Sequence, residues 1–312
     1  MVIRQNAKEF RGLMPRDHPR ALTGRVTKND EIMMGGSSVD RISLIYRENA
    51  NFVYSEEFTD PLLEMLDPER AERIVDLGCG SGELTAKLGR RLEKAKSLNS
   101  DATNIVFAPP HDIQTPLSFP IHTAPEDECI EPHSFNAVFS NATFHWCKSP
   151  ASVLALCRSL LVQDGTGRLV VEMGGGMNMI GVRSAIWQAL KKRGVDPVPL
   201  DPWHFPRVQE YKSLLISEGF AVRSIELIPR PTRLPTSLYG WLTTFARSSF
   251  LSSFSDKEAE EIMREVEEAC APDCRYEEMD KETGLMTEKW EVMYVRLRFE
   301  AVLKQCSDKC AR

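Results

Sequence analysis

Ile74-Val75-Asp76-Leu77-Gly78-Cys79-Gly80-Ser81-Gly82 is the stretch on which the fold turns. Its first four residues, three of them apolar, make a short buried strand. The run stops on glycines at 78, 80 and 82, after which Leu84, Leu88 and Leu92 fall four apart, as on one face of a helix. A strand that hands over to a helix through glycines bends sharply and approaches a ligand with no Cβ in the way. It also leaves the first N–H groups of the helix free to meet an electron-rich group. The dinucleotide fingerprint sets its third glycine three positions after its second. Here Gly82 follows Gly80 by two, which disfavours a nicotinamide oxidoreductase. Asp76, at the end of the strand, adds a negative charge that suits a cationic or amine-bearing group better than a pyrophosphate.

Working outward, strand patterns recur at 104–108, 135–140, 167–173 and 221–227, with a last long one at 290–299. Helical patterns lie between them at 150–161, 179–193, 208–218 and 255–269, the last opened by a Ser255/Glu258 capping box. Upstream, 39–66 reads as two short helices, the second with Thr59 as N-cap and Pro61 in its first turn. Strands alternating with helices predict an α/β fold, a parallel-rich sheet with helices on both faces. The final strand is expected to run antiparallel, at or near an edge.

The composition narrows the class. With 312 residues, 42% hydrophobic and 27% charged, the chain is long enough to bury a large core, and disorder throughout is excluded. No apolar run approaches the roughly 18 to 20 residues that cross a bilayer, so no membrane partner is expected. A net charge of −6 and a pI near 5.7 argue against a nucleic-acid partner. Eight cysteines without a dense framework fit a reducing compartment, free thiols and a cytoplasmic location. Residues 1–38 read as a flexible basic tail, which through Lys28 carries Arg4, Lys8, Arg11, Arg16, Arg20 and Arg25 against only Glu9 and Asp17. An organelle transit peptide is the rival reading of that tail.

In these residues a family resemblance appears. The stretch 75–82 resembles the first motif of the class I S-adenosylmethionine-dependent methyltransferases. Residues 135–141 resemble that family's fourth strand, and Ala142-Thr143-Phe144-His145-Trp146 resembles the turn after it in the trans-aconitate methyltransferase branch. Residues 154–172 are similar to the helix, turn and strand that follow. The resemblance implies a Rossmann-like sheet with S-adenosylmethionine as cofactor. It implies that Asp76 and the turn at Gly78, Cys79, Gly80 and Gly82 meet the methionine moiety, and that Asn141 faces the sulfonium with Phe144, His145 and Trp146 as a wall. By the same likeness Asp112 contacts the adenine amino group, and Tyr46 and Tyr54 cover the cofactor.

One departure stands out. The family's second strand, ending in an acid for the ribose hydroxyls, has no counterpart: the helical pattern runs from Leu84 through Leu98, and Asp101 has no apolar run before it. Either a segment is lost, or 104–108 takes that strand's place and Asp112 becomes the ribose acid. Two lost hydroxyl bonds to a charged acceptor cost on the order of 2–5 kcal/mol, so weak cofactor binding is expected.

The function expected is methyl transfer to an oxygen of a small molecule, carboxylate or hydroxyl. The rival is a catalytically impaired, methyltransferase-like binding protein. His145 is the candidate general base, with a packing role equally open; a carboxylate acceptor needs no base. Arg207, Arg233 and Arg247 are candidate carboxylate partners. Trp203 joins Trp146 as a substrate-side aromatic, while Tyr239 and Trp241 are read as loop aromatics. Cys270 with Cys274 and Cys306 with Cys310 lack nearby histidines, so no metal is expected. The cofactor-binding domain is placed at 39–230, a helical cap at 231–288, the returning strand at 289–303 and a tail at 304–312.

Overall fold

The computed structural model describes residues 2–3, 49, 55–68, 72–80, 82–95, 111–122 and 129–305. The strand expected at 104–108, Asp101, Tyr46, Tyr54, Cys306 and Cys310 lie outside these residues.

One seven-stranded sheet organises the chain. In spatial order it runs β1 (Val2–Ile3), β2 (Ile74–Leu77), β5 (Ala137–Asn141), β6 (Arg168–Gly174), β9 (Met286–Leu303) and β7 (Phe220–Arg233), with β8 (Arg275–Met279) pairing β9 off this path. Strands β3 (Ile121–His122) and β4 (Cys129–Ile130) form a separate antiparallel pair. The first four strands of the main sheet are parallel, and β9 is antiparallel to both β6 and β7. Among the described residues seven α-helices accompany the sheet: α1 (Glu56–Leu66), α2 (Glu83–Ala95), α3 (Pro150–Leu160), α4 (Ile180–Lys192), α5 (Val208–Ser217), α6 (Leu238–Phe245) and α7 (Asp256–Cys274). This is the expected α/β, Rossmann-like architecture.

Alternation along the strands sends neighbours to opposite faces. Val75, Leu77, Val138 and Leu169 pack with Leu154, Leu160, Tyr211 and Leu215 of α3 and α5. Ile74, Phe139 and Val170 pack with Leu62, Leu66, Leu84 and Leu88 of α1 and α2. A third cluster joins α4, α6 and α7 to the start of β9 and to Trp203.

The final strand, β9, is antiparallel and near an edge as expected, one strand in from β7, with Leu297 and Phe299 fully buried. Three local expectations are corrected. First, β7, at the edge, continues past Leu227 through Pro229 and Pro231; an edge strand tolerates residues without an N–H, and that is why the sequence pattern stopped short. Second, α1 starts after Ser55, so Thr59 is inside the helix and donates its hydroxyl to Ser55 O at 2.9 Å instead of capping. Third, Tyr239 and Trp241 are on α6, which the near-continuous apolar composition of that stretch concealed. The Ser255/Glu258 capping box is present, with Glu258 N–H on Ser255 Oγ at 3.3 Å and Ser255 N–H on Glu258 Oε2 at 3.0 Å.

Residues 2 and 3 are strand where a flexible tail was expected. They pair in parallel with Asp76 and Leu77, on the flank of β2 opposite β5.

Candidate functional site

The glycine turn is built by β2 and α2 and braced by β5. Asp76 is buried on the α1–α2 side, where its Oδ2 accepts the Thr85 hydroxyl at 2.6 Å. Burial pushes its carboxyl up to about 6, against the opposing effect of the Thr85 bond. Gly78, Gly80 and Gly82 hold φ of +78°, +58° and +96°. A Cβ at Gly78 would land on the side chain of Thr143, whose hydroxyl lies 3.1 Å from both Gly78 O and Asn141 O. Ser140 adds a second tie, donating to Leu77 O at 2.7 Å. Gly82 N–H closes the turn on Cys79 O at 3.0 Å, and Ala86 N–H on Gly82 O at 2.8 Å begins α2. Among the described residues nothing lies within 4 Å of a Cβ position at Gly82.

Beyond β5 the chain swings through Ala142, at φ +57°, into a 3-10 turn over Phe144–Trp146. His145 is buried, and its Nδ1 accepts the Gly174 N–H at 3.2 Å, so the ring proton sits on Nε2. Burial, then Arg296 and His204, hold its pKa well below the usual imidazole range. The general-base role expected of His145 is therefore closed, because its lone pair is already used; the ring is a neutral donor. Trp146 is half-buried, 5.5 Å from the His145 ring and 5.7 Å, edge-on, from Trp203.

The other expected residues divide. Asn141 ends β5, half-buried, beside the turn. Asp112 is half-buried in a turn of its own: its Oδ1 accepts Gln114 N–H at 3.0 Å, and Gln114 Oε1 accepts Ser149 N–H at 3.0 Å, which moors the segment to the start of α3. Phe144 packs in the sheet core at 2% exposure, where the resemblance implied a wall residue. Trp203 is buried among Phe205, Trp241 and Phe250. Arg207 is exposed at the start of α5. Arg233 and Arg247 are paired to Glu278 and Asp256, each at 2.7 Å, which occupies the guanidiniums expected to receive a carboxylate. Tyr54 lies outside the described residues. Sequence reading missed Glu172 and the arginines around it, Arg230, Arg296 and Arg298, brought together from three strands. Their one local signal was the pair Arg296 and Arg298 at alternate positions within the apolar-rich run 292–299.

Residues 75–169 match the family model described as a methyltransferase domain. Over 271 residues the chain is 28% identical to an uncharacterized methyltransferase of Schizosaccharomyces pombe, covering 82% of this chain and 95% of that protein. Residues 75–169 form a methyltransferase domain. The chain is also 36% identical over 95 residues to the trans-aconitate 2-methyltransferase of Deinococcus radiodurans, spanning 30% of this chain and 35% of that one. A phosphoethanolamine N-methyltransferase from Haemonchus contortus, solved with S-adenosyl-L-methionine, aligns over 86% of this chain and 58% of its own, at 14% identity and a TM-score of 0.42. The residues present fit the S-adenosylmethionine that the motif at 75–82 implies. Among the described residues, the space at Gly82 and a buried Asp76 carboxylate bonded to a neutral hydroxyl give an ammonium-bearing ligand both room and a counter-charge. The methyltransferase relatives do not favour the impaired-binder alternative. Among the described residues no helix is long and apolar enough to cross a membrane.

Proposed function

We propose that this methyltransferase methylates an oxygen of a small molecule, and that the oxygen belongs to a carboxylate. The observation that carries this reading is the bond from Gly174 N–H to His145 Nδ1, which removes the candidate base beside the end of β5. A carboxylate is already ionised near neutral pH and needs none. When bound, the cofactor supplies a methyl on a sulfonium, whose C–S bonding pair returns to sulfur as the O–CH3 bond forms. What remains for the protein is alignment to about 3–3.5 Å and exclusion of water.

In this reading Asp76 and the backbone at Gly78, Cys79, Gly80 and Gly82 hold the methionine end, and Asp112 takes the adenine amino group. Asn141 borders the reacting centre, His145 offers its Nε2–H to an acceptor oxygen, Trp146 and Trp203 wall the acceptor side, and Tyr54 covers the cofactor. The acceptor is a free small molecule in the cytoplasm. The test is incubation with cofactor labelled in its methyl group and a panel of carboxylic acids with their hydroxyl counterparts. Base-labile methyl esters are expected, with turnover flat between about pH 6 and 8 and retained in His145→Gln. Ether products only, with turnover abolished in His145→Gln or His204→Gln, would overturn it.

A further inference from the structure

Glu172 is a buried carboxylate on β6 with three guanidiniums around it. Arg298 grips Oε2 through Nε at 2.8 Å and Nη2 at 2.6 Å. Arg230 reaches Oε1 through Nη1 at 3.2 Å, and Arg296 reaches the same oxygen through Nε at 3.5 Å. The four side chains are only 2–14% exposed. Three positive charges thus face one negative charge, and among the described residues no other carboxylate is within ion-pair reach of the three arginines.

The donors are as unbalanced as the charges. Arg230 Nε is buried with no acceptor. Its guanidinium lies 3.9 Å from the Phe58 ring centroid, and Arg296 lies 5.6 Å from that of Tyr294; aromatic faces orient the two planes but accept no N–H in the usual sense. Burial and the adjacent Arg296 push Arg230 down to about 10. A buried charge without a partner is costly, and a second anion between these two would remove that cost.

Register fixes where the unmet charge sits. Glu172 is the cross-strand partner of Asn141 on one side and of Arg298 on the other, and Arg296 faces Gly174, the residue whose N–H holds His145. The arginines therefore lie at the β6 end nearest Asn141 and His145.

We propose that Arg230 and Arg296 bind an oxyanion of the methyl acceptor and anchor it there, on a frame made by the Arg298–Glu172 pair. This rests on the carboxylate-acceptor reading above. A carboxylate held by two guanidiniums is a poor nucleophile, so the anchored group and the methylated oxygen are different groups, and the acceptor carries at least two oxygen functions.

The test is calorimetric titration of the full-length protein, saturated with S-adenosylhomocysteine, with succinate and separately with inorganic phosphate. Wild type is expected to bind one of them, the one bound identifying carboxylate or phosphate as the anchor. Arg230→Gln is expected to weaken that binding by about tenfold or more, and Arg230→Lys by less, with homocysteine-product binding unchanged in both. Equal anion binding in wild type and variants overturns the proposal, as does the absence of both anions from a wild type that binds S-adenosylhomocysteine. Arg230-dependent anion binding without S-adenosylhomocysteine binding would keep the anion site and sink the methyl-transfer reading. Should Arg230→Gln fail to fold, weaker anion binding in Arg230→Lys supports the anchor and unchanged binding there overturns it.

Discussion

Asp76 carries a cost that a ligand is positioned to relieve. Its carboxyl titrates at about 6 in the folded chain against 3.8 ordinarily, because burial disfavours the ionised form. A raised carboxyl contributes its stability below the ordinary value and loses it as pH climbs to the folded value, here about 3 kcal/mol between roughly pH 4 and 6. The cofactor-free protein is therefore expected to melt at falling temperature across that window. Asp76→Asn should flatten the slope, raise the melting temperature at pH 7 and weaken cofactor binding. Parallel melting curves for the two proteins across pH would show that Asp76 is not the group responsible. The carboxylate itself was legible in the sequence because it sits two residues before the first glycine of the motif. The Glu172 cluster was not, because its members are joined only once β6, β7 and β9 are in register.

At the scale of elements, the β2–α2 turn and the end of β5 act as one piece. Gly78→Ala would place a methyl against Thr143 and force an L-residue to φ +78°. The conformational part alone costs about 1–2 kcal/mol, and displacement of Thr143 breaks the tie to Asn141 O as well. Lower stability together with lost cofactor binding is expected, read by thermal melting and calorimetry; an unaffected affinity would mean that the turn and β5 move separately. Periodicity was enough to find β5, β6, α3, α4, α5 and α7 within a few residues, since each keeps one apolar face. It failed at β7, where prolines mark an edge, and at α6, whose sequence Leu238–Phe245 lacks a polar face to set the period. Ser55 was passed over as the cap of α1 because its side chain makes no capping bond to betray it.

For the whole molecule, the contact between the end of β5 and the helices α6 and α7 runs through aromatic side chains. Trp146 follows β5, and Trp203 meets it while also touching Trp241 and Phe250. Trp203→Ala removes the central ring and is expected to cost about 3–5 kcal/mol, seen as an earlier melting transition. A shift within about 0.5 kcal/mol of wild type would mean that α6 and α7 are held elsewhere. That α4 and Trp203 share a core with α6 and α7 could not be read from order along the chain, since these segments are separated by the whole of α5 and β7. The position of β9 has a further consequence. Strands β6 and β7 share no backbone pairing; each pairs with β9, the last described strand in the order of the chain. During synthesis both must wait with open backbone edges until the final described segment leaves the ribosome and slots between them, so a nascent chain halted before residue 286 would expose two sticky borders and depend on chaperones.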